Sequence, residues 1–462
     1  MEINMDKHSE NAKELPIKAV VDVLVVGAGT AGAPAAVAAA RMGCRTMIAE
    51  QLSFPGGTAT AGLVTPLMST CIKGNPQPCS INKEIFRRMK EKGAADVDSD
   101  GRDGWFDPAM LSIVLEEMLN DAGVEVLYQT FFSDVIMDEN VLKGVIVQNK
   151  GGRSVIMAKR IIDATGDADV AFRSDCPWES GRPMDHVNQP TSVRFEAAGV
   201  DTDKFRTFLK NLGQTEELDF PFFHTAMVWG KDMPLQPIFR EALEKGDIEE
   251  QDGEYFQAFG MPGKPGAIAF NCPEILAEID VTRPEYQSKA YAKGREAIQR
   301  LMHFMKKYIP GFENAWISDV AVLLGIRESR RIKGEYYLTG ADILSYKKFE
   351  DAVTRSNYPV DIHGNLDAYE DFVRPELPEE QRYYEAPYRC LVPEKIENLL
   401  VAGRCVSADY VAQSALRIQP SCRALGEAAG IACAVSIKDG KTPRDVDGVK
   451  IRRIMKEKGA FL

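Results

Sequence analysis

The chain has 462 residues, about three times the roughly 150 residues of a typical domain, so it can bury a large core and form two interleaved domains. The 56 Lys and Arg against 68 Asp and Glu give a net charge of −12, which argues against nucleic acid or an anionic membrane as a partner. Charged residues (27%) and hydrophobic residues (45%) are in the ordinary globular range, which excludes a disordered or membrane class.

The ends and the cysteines indicate a cytoplasmic protein. No run approaches about 18 apolar residues, and the first residues are too polar for a secretory signal. The nine cysteines contain no CxxC pair, which favours neither a disulfide framework nor a zinc site. The five histidines form no metal-binding motif, so we expect no bound metal.

The first recognisable unit is a strand, a glycine turn and a helix. Residues 20–26 (VVDVLVV) are β-branched and almost wholly apolar, which predicts a parallel strand buried on both faces. The turn GAGTAG follows, then an Ala-rich helix that ends at Gly43 and a short strand that ends at Glu50. This order predicts a complete βαβ unit.

The next region combines helices with a β-meander. An apolar-periodic segment predicts a helical insert at about 76–104, which could form a lid, and Asp107 and Pro108 have the order of an N-cap and a first helical residue. The segments VEVLYQT, FFSDVIMD, LKGVIVQN and SVIMAK have hairpin spacing. They predict a meander that returns to the central sheet at RIIDATGDAD.

The alternation of strands and helices is lost from 181 to 384, where we expect a separate substrate or cap domain. After it, ENLLVAGRC predicts another buried strand before a glycine turn, and RALGEAAGIACAVS predicts a helix with a face of small residues. The predicted organisation is therefore a nucleotide-binding domain at 1–180, a substrate domain at 181–384, and a return to the first domain at 385–462.

The GAGTAG turn has the spacing of a dinucleotide-binding fingerprint. Gly27 permits the tight turn, Gly29 lets the backbone approach a pyrophosphate, and Gly32 lets the helix pack on the strand. Glu50, which follows Gly27 by 23 residues, can accept both ribose hydroxyls and would repel a 2′-phosphate, which argues against NADP. A structural βαβ unit that binds nothing is the alternative.

Three further loops carry glycine at predicted strand ends. They are FPGGTATAG after Glu50, ATGDAD at 164–169, and VAGRCVSAD at 401–409. Because the carboxyl ends of parallel strands meet at one edge of a sheet, these separated loops point to a single ligand.

The motifs together resemble the FAD-dependent oxidoreductases of the two-dinucleotide-binding-domain superfamily, which includes fumarate reductase flavoproteins and thiazole synthase. The resemblance is strongest to a large bacterial FAD-dependent oxidoreductase family. It is carried by VVGAGTAGAPAAVAAARMG, GGTATAG, IIDATGDADVA, GIRESRRIKGEYYLT, YPVDIH, APYRCLVP and NLLVAGRCVSADYVAQSALRIQPSCRALGEAAG. It implies an α/β fold with a glutathione-reductase-type, Rossmann-like FAD domain and an interleaved α+β substrate domain.

The resemblance also implies which residues contact FAD. They are Gly27, Gly29, Thr30, Gly32, Glu50, Gly57, Thr58, Gly166, Asp167, Gly403 and Arg404, with the backbone near Val135 at the adenine. The predicted set is completed by neighbours in the same loops and by the first turn of the last buried helix: Ala28, Ala31, Gln51, Thr165 and Ser421.

Two departures from the family pattern matter. Relatives commonly have a Gly-Asp pair on the ribityl chain where this chain has Gly403 and Arg404, so Asp409 is considered as a substitute. In some relatives a histidine attaches the flavin covalently, but this chain has no histidine from 9 to 185. We therefore expect FAD to be bound without a covalent bond.

The chemistry is narrowed by what the sequence lacks. A single fingerprint argues against a dedicated pyridine-nucleotide domain, and Cys71 and Cys79, with seven residues between them, do not suit a disulfide reductase. Direct hydride exchange between a substrate carbon and flavin N5 remains. The helix after IQPS, with Pro420 and Ser421 in its first turn, could direct its positive end toward the flavin.

The substrate side has four candidate residues. Arg327 and Arg331 are four apart, on one face if the segment is helical, and guanidinium groups bind carboxylates; the alternative is a solvated or Glu328-paired surface. His363 is the candidate acid or base, oriented by Asp361, although a structural histidine is equally consistent. Tyr388 and Arg389 could complete the substrate pocket. The alternative for Tyr388 is that it packs in the core.

We therefore expect an FAD-dependent dehydrogenase or reductase, a monomer or homodimer, that acts on a small polar, possibly carboxylated molecule, with the electron acceptor unknown. One alternative is a flavin oxidase or monooxygenase that uses oxygen. Another is a non-catalytic flavin-binding protein.

Overall fold

The computed structural model of the chain describes residues 12–67, 79–97, 104–216, 218, 223–276, 278–364 and 375–462. Cys71, one of the two cysteines weighed for disulfide chemistry, lies outside these residues, as do parts of the predicted insert at 76–104. Within the described ranges, no helix is both long and apolar enough to cross a membrane.

Twenty-one strands are present among the described residues. In chain order they are β1 (Ile17–Val26), β2 (Thr46–Ala49), β3 (Pro66–Leu67), β4 (Ala95–Val97), β5 (Gly104–Phe106), β6 (Glu125–Leu127), β7 (Phe131–Asp138), β8 (Val141–Asn149), β9 (Gly152–Asp163), β10 (Trp178–Glu179), β11 (Thr191–Ser192), β12 (Phe195–Ala198), β13 (His224–Met227), β14 (Phe256–Gly260), β15 (Ile268–Phe270), β16 (Glu274–Ile275), β17 (Trp316–Val320), β18 (Arg331–Ile332), β19 (Ala352–Ser356), β20 (Tyr384–Pro387) and β21 (Leu399–Val401).

Eleven α-helices lie in the same described part of the chain. They are α1 (Gly32–Arg41), α2 (Ser80–Glu91), α3 (Pro108–Asp121), α4 (Asp169–Arg173), α5 (Thr202–Asn211), α6 (Gln236–Glu244), α7 (Pro284–Tyr308), α8 (Gly340–Leu344), α9 (Tyr410–Leu416), α10 (Gln419–Lys438) and α11 (Gly448–Glu457).

The larger sheet is a mixed, mainly parallel sheet with the strand order β6-β2-β1-β9-β8-β7, and β21 pairs with β9. Val26 at the end of β1 lies beside Ala49 of β2 and Asp163 of β9, and Asp163 lies beside Val401 of β21. The carboxyl ends of four parallel strands are therefore level, and the loops that follow them meet at one edge. This arrangement confirms the predicted α/β fold.

A single strand, β9, covers two segments that the sequence analysis treated as separate. β9 runs without interruption through SVIMAK and RIID. Its first half pairs antiparallel with β8, and its second half pairs parallel with β21. The β-meander and the nucleotide-binding edge are therefore parts of one continuous sheet.

The second sheet is antiparallel, with the order β13-β14-β15-β12-β17. On one face Phe195 and Phe270 stack at a centroid distance of 4.4 Å and share a buried core with α7. Leu338 and Val353, which are within the range predicted for the substrate domain, are buried instead in the core that contains α1 and α10.

The helices α1 and α10 pack closely on the larger sheet. A Cβ at Gly426 would lie 2.0 Å from the carbonyl oxygen of Ala31, and one at Gly430 would lie 2.2 Å from that of Ala35. The small residues of α10 therefore serve this helix contact, which holds the N-terminus of α10 at the edge where the four strands end.

Candidate active site

The turn between β1 and α1 leaves no room for side chains at two of its glycines. Gly27 has φ +95°, and a Cβ there would lie 2.7 Å from the carbonyl oxygen of Ala164. A Cβ at Gly32 would lie 1.8 Å from the carbonyl oxygen of Gly27. Both glycines are required by the close approach of neighbouring backbone.

Gly29 differs because the protein leaves open space in front of it. Among the described atoms, a Cβ at Gly29 would meet just the Cα of Gly57, at an ordinary 3.9 Å, and Gly29 lines a cavity. The hydroxyls of Thr30 and Thr58, 3.4 Å apart, border the same cavity. Packing does not require a glycine here, whereas the approach of a phosphate to the N-terminus of α1 does.

Glu50 follows β2 and is held by two backbone N–H groups. Its Oε2 accepts a hydrogen bond from Ala28 N at 2.6 Å, and its Oε1 accepts one from Leu52 N at 2.8 Å. Burial raises the pKa of Glu50, and these N–H groups oppose the rise. The Glu50 carboxylate lines the cavity in a fixed orientation. Ala28, which was predicted to contact the cofactor, instead helps to hold this carboxylate through its backbone N–H.

The loops after β9 and β21 meet in an ion pair. Arg404 Nη2 donates to Asp167 Oδ1 at 2.8 Å, and Ser329 Oγ donates to the same oxygen at 2.5 Å. Burial would raise the pKa of Asp167, but the charge of Arg404 and the hydrogen bond from Ser329 hold it below its ordinary value. An ionised carboxylate is therefore present at this edge, supplied by Asp167.

One cavity of about 570 Å³ connects these loops to the antiparallel sheet. Thirteen of the predicted cofactor residues line it: Gly27, Gly29, Thr30, Ala31, Glu50, Gln51, Gly57, Thr58, Thr165, Gly166, Asp167, Gly403 and Arg404. At the other end the wall carries three guanidinium groups, from Arg194, Arg327 and Arg417.

Two of these arginines are joined through His363 by a chain of charged contacts. Arg327 Nη2 lies 2.7 Å from Glu274 Oε1, and Arg417 Nη2 lies 2.9 Å from Asp361 Oδ2. His363 stands between the two carboxylates, with Nδ1 2.6 Å from Glu274 and Nε2 3.3 Å from Asp361.

Both carboxylates in this chain are ionised. Burial would raise the pKa of Glu274, but Arg327 and His363 lower it below its ordinary value. The pKa of Asp361 is affected in the same way by burial, Arg417 and His363, and it too lies below its ordinary value. His363 is therefore flanked by two negatively charged groups.

A family model described as FAD dependent oxidoreductase matches residues 22–455. The chain belongs to this family. The resemblance inferred from the motifs and the FAD cofactor is thereby confirmed.

A thiamine thiazole synthase from Methanococcus maripaludis (strain C5 / ATCC BAA-1333) is 32% identical over 157 residues, which are 32% of this chain and 56% of that protein. The chain thus spans just over half the length of this curated relative. The tRNA uridine 5-carboxymethylaminomethyl modification enzyme MnmG from Alkaliphilus oremlandii (strain OhILAs) is 27% identical over 239 residues, 49% of this chain and 37% of that one.

Among solved structures, p-nitrophenol 4-monooxygenase PnpA from Pseudomonas putida DLL-E4 has a TM-score of 0.50 and 12% sequence identity, over 96% of this chain and 87% of that one. At this identity the likeness concerns the fold alone.

The residues at the nucleotide end fit FAD. Gly29 leaves room for the pyrophosphate at the N-terminus of α1, and Glu50 presents its carboxylate as a ribose acceptor. Arg404 occupies the position of the usual aspartate, but Asp167, from the neighbouring strand end, provides a carboxylate beside it. Asp409 does not serve as a substitute, because it caps α9 through Ala412 N and does not line the cavity.

Replacing Glu50 with Gln should weaken FAD binding by about 10- to 100-fold. Charge-assisted hydrogen bonds to the ribose become neutral ones, and the amide nitrogen must face Ala28 N or Leu52 N, which donate to the carboxylate. Fluorescence titration of the FAD-free protein measures the loss. Affinity for FAD should also fall as the pH is lowered, since protonation removes the same charge, and this fall should be smaller in the variant. The exposed Glu125→Gln on β6 is the control, and equal losses in both variants would contradict a ribose contact at Glu50.

Four predicted cofactor residues do not line the cavity. Ala28 and Gly32 act on the turn itself, as described above. Val135 is partly buried against the sheet core, and Phe131 and Phe132 line the cavity from β7 in its place. The Ser421 side chain is fully buried within α10, whereas Gln419 and Cys422 from the same helix line the cavity.

The catalytic candidates also divide. Arg327 and His363 line the cavity, whereas Arg331 and Tyr388 do not. The segment is not helical, so the spacing of four residues does not place both arginines on one face. Arg331 is the first residue of β18 and is buried in an ion pair with Glu328. This agrees with the alternative interpretation that Glu328 pairs with an arginine of this segment. Tyr388 is buried in the core, and its hydroxyl donates to Pro443 O at 2.7 Å.

Sequence reasoning did not single out Arg194, Arg417, Glu274 or Asn271. The segment TSVRFEAAG gave one usable signal, because an arginine between Val193 and Phe195 in a strand-like run is costly to bury without a purpose. The others lie in unremarkable segments, and only the fold brings Glu274 to His363 and places Arg417 and Asn271 at the cavity.

Proposed function

We propose that this protein transfers a hydride between the N5 of FAD and a small, polar, carboxylated organic substrate. The observation that carries the proposal is that one cavity extends from the open space at Gly29 to the guanidinium groups of Arg194 and Arg327. A dinucleotide at one end and an anionic substrate at the other would therefore share a single space. Bound FAD supplies the hydride exchange, and the chain supplies orientation and proton transfer.

In this proposal His363 is the acid or base. Glu274, 2.6 Å from Nδ1, favours the tautomer that has its proton on that nitrogen. Nε2 has the longer contact, 3.3 Å to Asp361, and is the nitrogen we assign to proton exchange with the substrate. The orienting role that the sequence assigned to Asp361 therefore passes to Glu274.

The experiment is anaerobic titration of the FAD-loaded protein with hydroxy acids, amino acids, enoates and sugars. Loss of the yellow flavin absorption shows that the compound is oxidised by the flavin. If the flavin is first reduced chemically, return of the yellow absorption shows that the compound is reduced by the flavin. We expect at least one carboxylated compound to react in one direction. If uncharged sugars react and every carboxylate is inert, the proposal fails, and if peroxide forms in stoichiometric amount with oxygen, the oxidase alternative is favoured.

Replacing His363 with Gln should slow hydride transfer by about 100-fold while substrate affinity changes little, because general acid–base catalysis is lost and the shape of the wall is kept. Anaerobic stopped-flow measurement separates the two quantities. The pH profile should also lose one limb in the variant. A variant with an unchanged rate and pH profile would show that His363 is structural.

A further inference from the structure

The substrate end of the cavity is built on one face of the antiparallel sheet. Phe195 of β12 pairs with Phe270 of β15, and the same register, continued one residue beyond each strand, places Arg194 opposite Asn271. Asn271 N donates to Gln257 O at 2.9 Å, which continues the row onto β14. Side chains directly opposite each other on neighbouring strands share a face, and all three of these line the cavity.

Arg194 is a buried cation without an anion. Its exposed fraction is 9%, and the guanidinium makes no hydrogen bond or ion pair with any residue in the described ranges. Arg327 and Arg417 each have a carboxylate partner, as described above. Burial lowers the pKa of Arg194 to about 9, and the nearby charge of Arg327 adds to the effect. An anionic group bound here would remove this cost.

Asn271 is the complementary case, a buried acceptor without a donor. Its Nδ2 donates to Tyr255 Oη at 2.8 Å and to Gln257 Oε1 at 3.0 Å. Gln257 is itself oriented, because Tyr255 Oη donates to its Oε1 at 2.6 Å and its Nε2 lies 3.0 Å from His224. Asn271 Oδ1 is left without a partner among the described residues, although only 3% of the residue is exposed.

We propose that the substrate is a hydroxy acid whose carboxylate binds Arg194 and whose hydroxyl donates to Asn271 Oδ1 in the bound state. Oxidation at the hydroxyl-bearing carbon would give the hydride to flavin N5 and the hydroxyl proton to His363 Nε2, so the Asn271 contact serves binding and not proton transfer. This inference rests on the proposed function and names its substrate class. Directly opposite residues in an antiparallel sheet have Cβ atoms about 5 Å apart, so the two groups must be close together in the ligand. The hydroxyl therefore lies one or two carbons from the carboxylate.

The charges around Arg194 and Asn271 favour a hydroxy acid over an amino acid and over an acid without a hydroxyl. An ammonium group could also donate to Asn271 Oδ1, but it would lie beside the guanidinium of Arg194, whose charge, unlike those of Arg327 and Arg417, is not offset by a carboxylate. An amino acid is therefore disfavoured. A simple or unsaturated acid would satisfy Arg194 but leave the Asn271 acceptor buried without a donor.

The test measures binding to the oxidised FAD-loaded protein under anaerobic conditions, by calorimetry and by perturbation of the flavin spectrum. The probes are 2-hydroxybutanoate, 3-hydroxybutanoate, butanoate, 2-aminobutanoate, but-2-enoate and 2-hydroxybutanamide. We expect one of the two hydroxy acids to bind about tenfold more tightly than the three acids without a hydroxyl, because only a hydroxy acid pairs with Asn271 without adding a positive charge. The amide, which lacks the negative charge, should bind about 100-fold more weakly.

Two variants assign the two contacts. In Arg194→Met the preference for the acid over the amide should disappear, and in Asn271→Leu the preference for the tighter-binding hydroxy acid over butanoate should disappear. FAD content should be unchanged in both. Arg194→Lys keeps the positive charge and should retain part of the preference for the acid. This variant also tests the contact if Arg194→Met does not fold. Arg453→Met, on the exposed face of α11, is the matched control.

Thermal stability separates recognition from a structural role. Because Arg194 has no partner to lose, Arg194→Met should melt at the same or a higher temperature than the unaltered protein when no ligand is added. A clear fall in melting temperature would show that Arg194 serves the fold and would overturn its assignment.

The outcomes for the two proposals can be told apart. Equal affinity for acid and amide, tighter binding of butanoate or 2-aminobutanoate, or no binding of any probe overturns the hydroxy-acid inference. The proposed function survives each of these results if some other carboxylated compound exchanges electrons with the flavin in the titration described above.

Discussion

Replacing Gly29 with Ala is expected to abolish FAD binding while the fold remains intact. The added methyl would meet the Cα of Gly57 at an ordinary 3.9 Å, so the protein accommodates it. The same methyl would project into the cavity where a pyrophosphate approaches the N-terminus of α1. Loss of two or three charge-assisted hydrogen bonds corresponds to about 4 kcal/mol, or roughly 1,000-fold in affinity.

The control for this prediction is the neighbouring Gly32→Ala. There the methyl would lie 1.8 Å from the carbonyl oxygen of Gly27, so α1 would have to move away from the end of β1. We expect Gly32→Ala to lower the melting temperature of the FAD-free protein, and Gly29→Ala to leave it unchanged. If Gly29→Ala binds FAD within threefold of the unaltered protein, the pyrophosphate does not lie at this turn.

The contrast between these glycines shows what the sequence could predict. The turn, its flanking strand and helix, and the acid at Glu50 are close in the chain, and local rules determine their geometry. The level strand ends were predictable for a related reason, since a parallel sheet brings its carboxyl ends to one edge whatever the loops between them contain.

The substrate end could not be predicted in the same way. Arg194, Gln257 and Asn271 come from three segments of the chain, and only the pairing register makes them neighbours. His363 meets Glu274 across 89 positions of sequence for the same kind of reason. Residue types alone do not specify register, so the unpartnered guanidinium could not be identified before the fold was known.

Arg327 and Arg331 illustrate a second limit. Four residues apart, they would share a face in a helix, but the chain is irregular before β18, and their side chains enter different environments. Arg327 lies at the cavity beside Glu274, and Arg331 is enclosed with Glu328. An inference from spacing therefore depended on a secondary structure that the segment does not adopt.

Replacing Arg331 with Met should consequently destabilise the protein without affecting substrate recognition. Arg331 is 2% exposed and Glu328 is fully buried, so the substitution leaves an uncompensated charge in the core. Removing one partner of a buried ion pair costs about 3–5 kcal/mol, which urea denaturation of the FAD-loaded protein would measure. Substrate affinity of the fraction that remains folded should match that of the unaltered protein, because Arg331 does not line the cavity.

The double variant Glu328→Gln with Arg331→Met tests the cause. It removes both charges, so it should recover part of the stability lost in Arg331→Met. Recovery is expected to be incomplete, because Glu328 Oε2 also accepts a hydrogen bond from Asn188 Nδ2 at 2.6 Å, and an amide nitrogen there would face another donor. If Arg331→Met instead kept full stability and lost substrate binding, Arg331 would bind the substrate. The assignment of Arg331 to a structural ion pair with Glu328 would then be wrong.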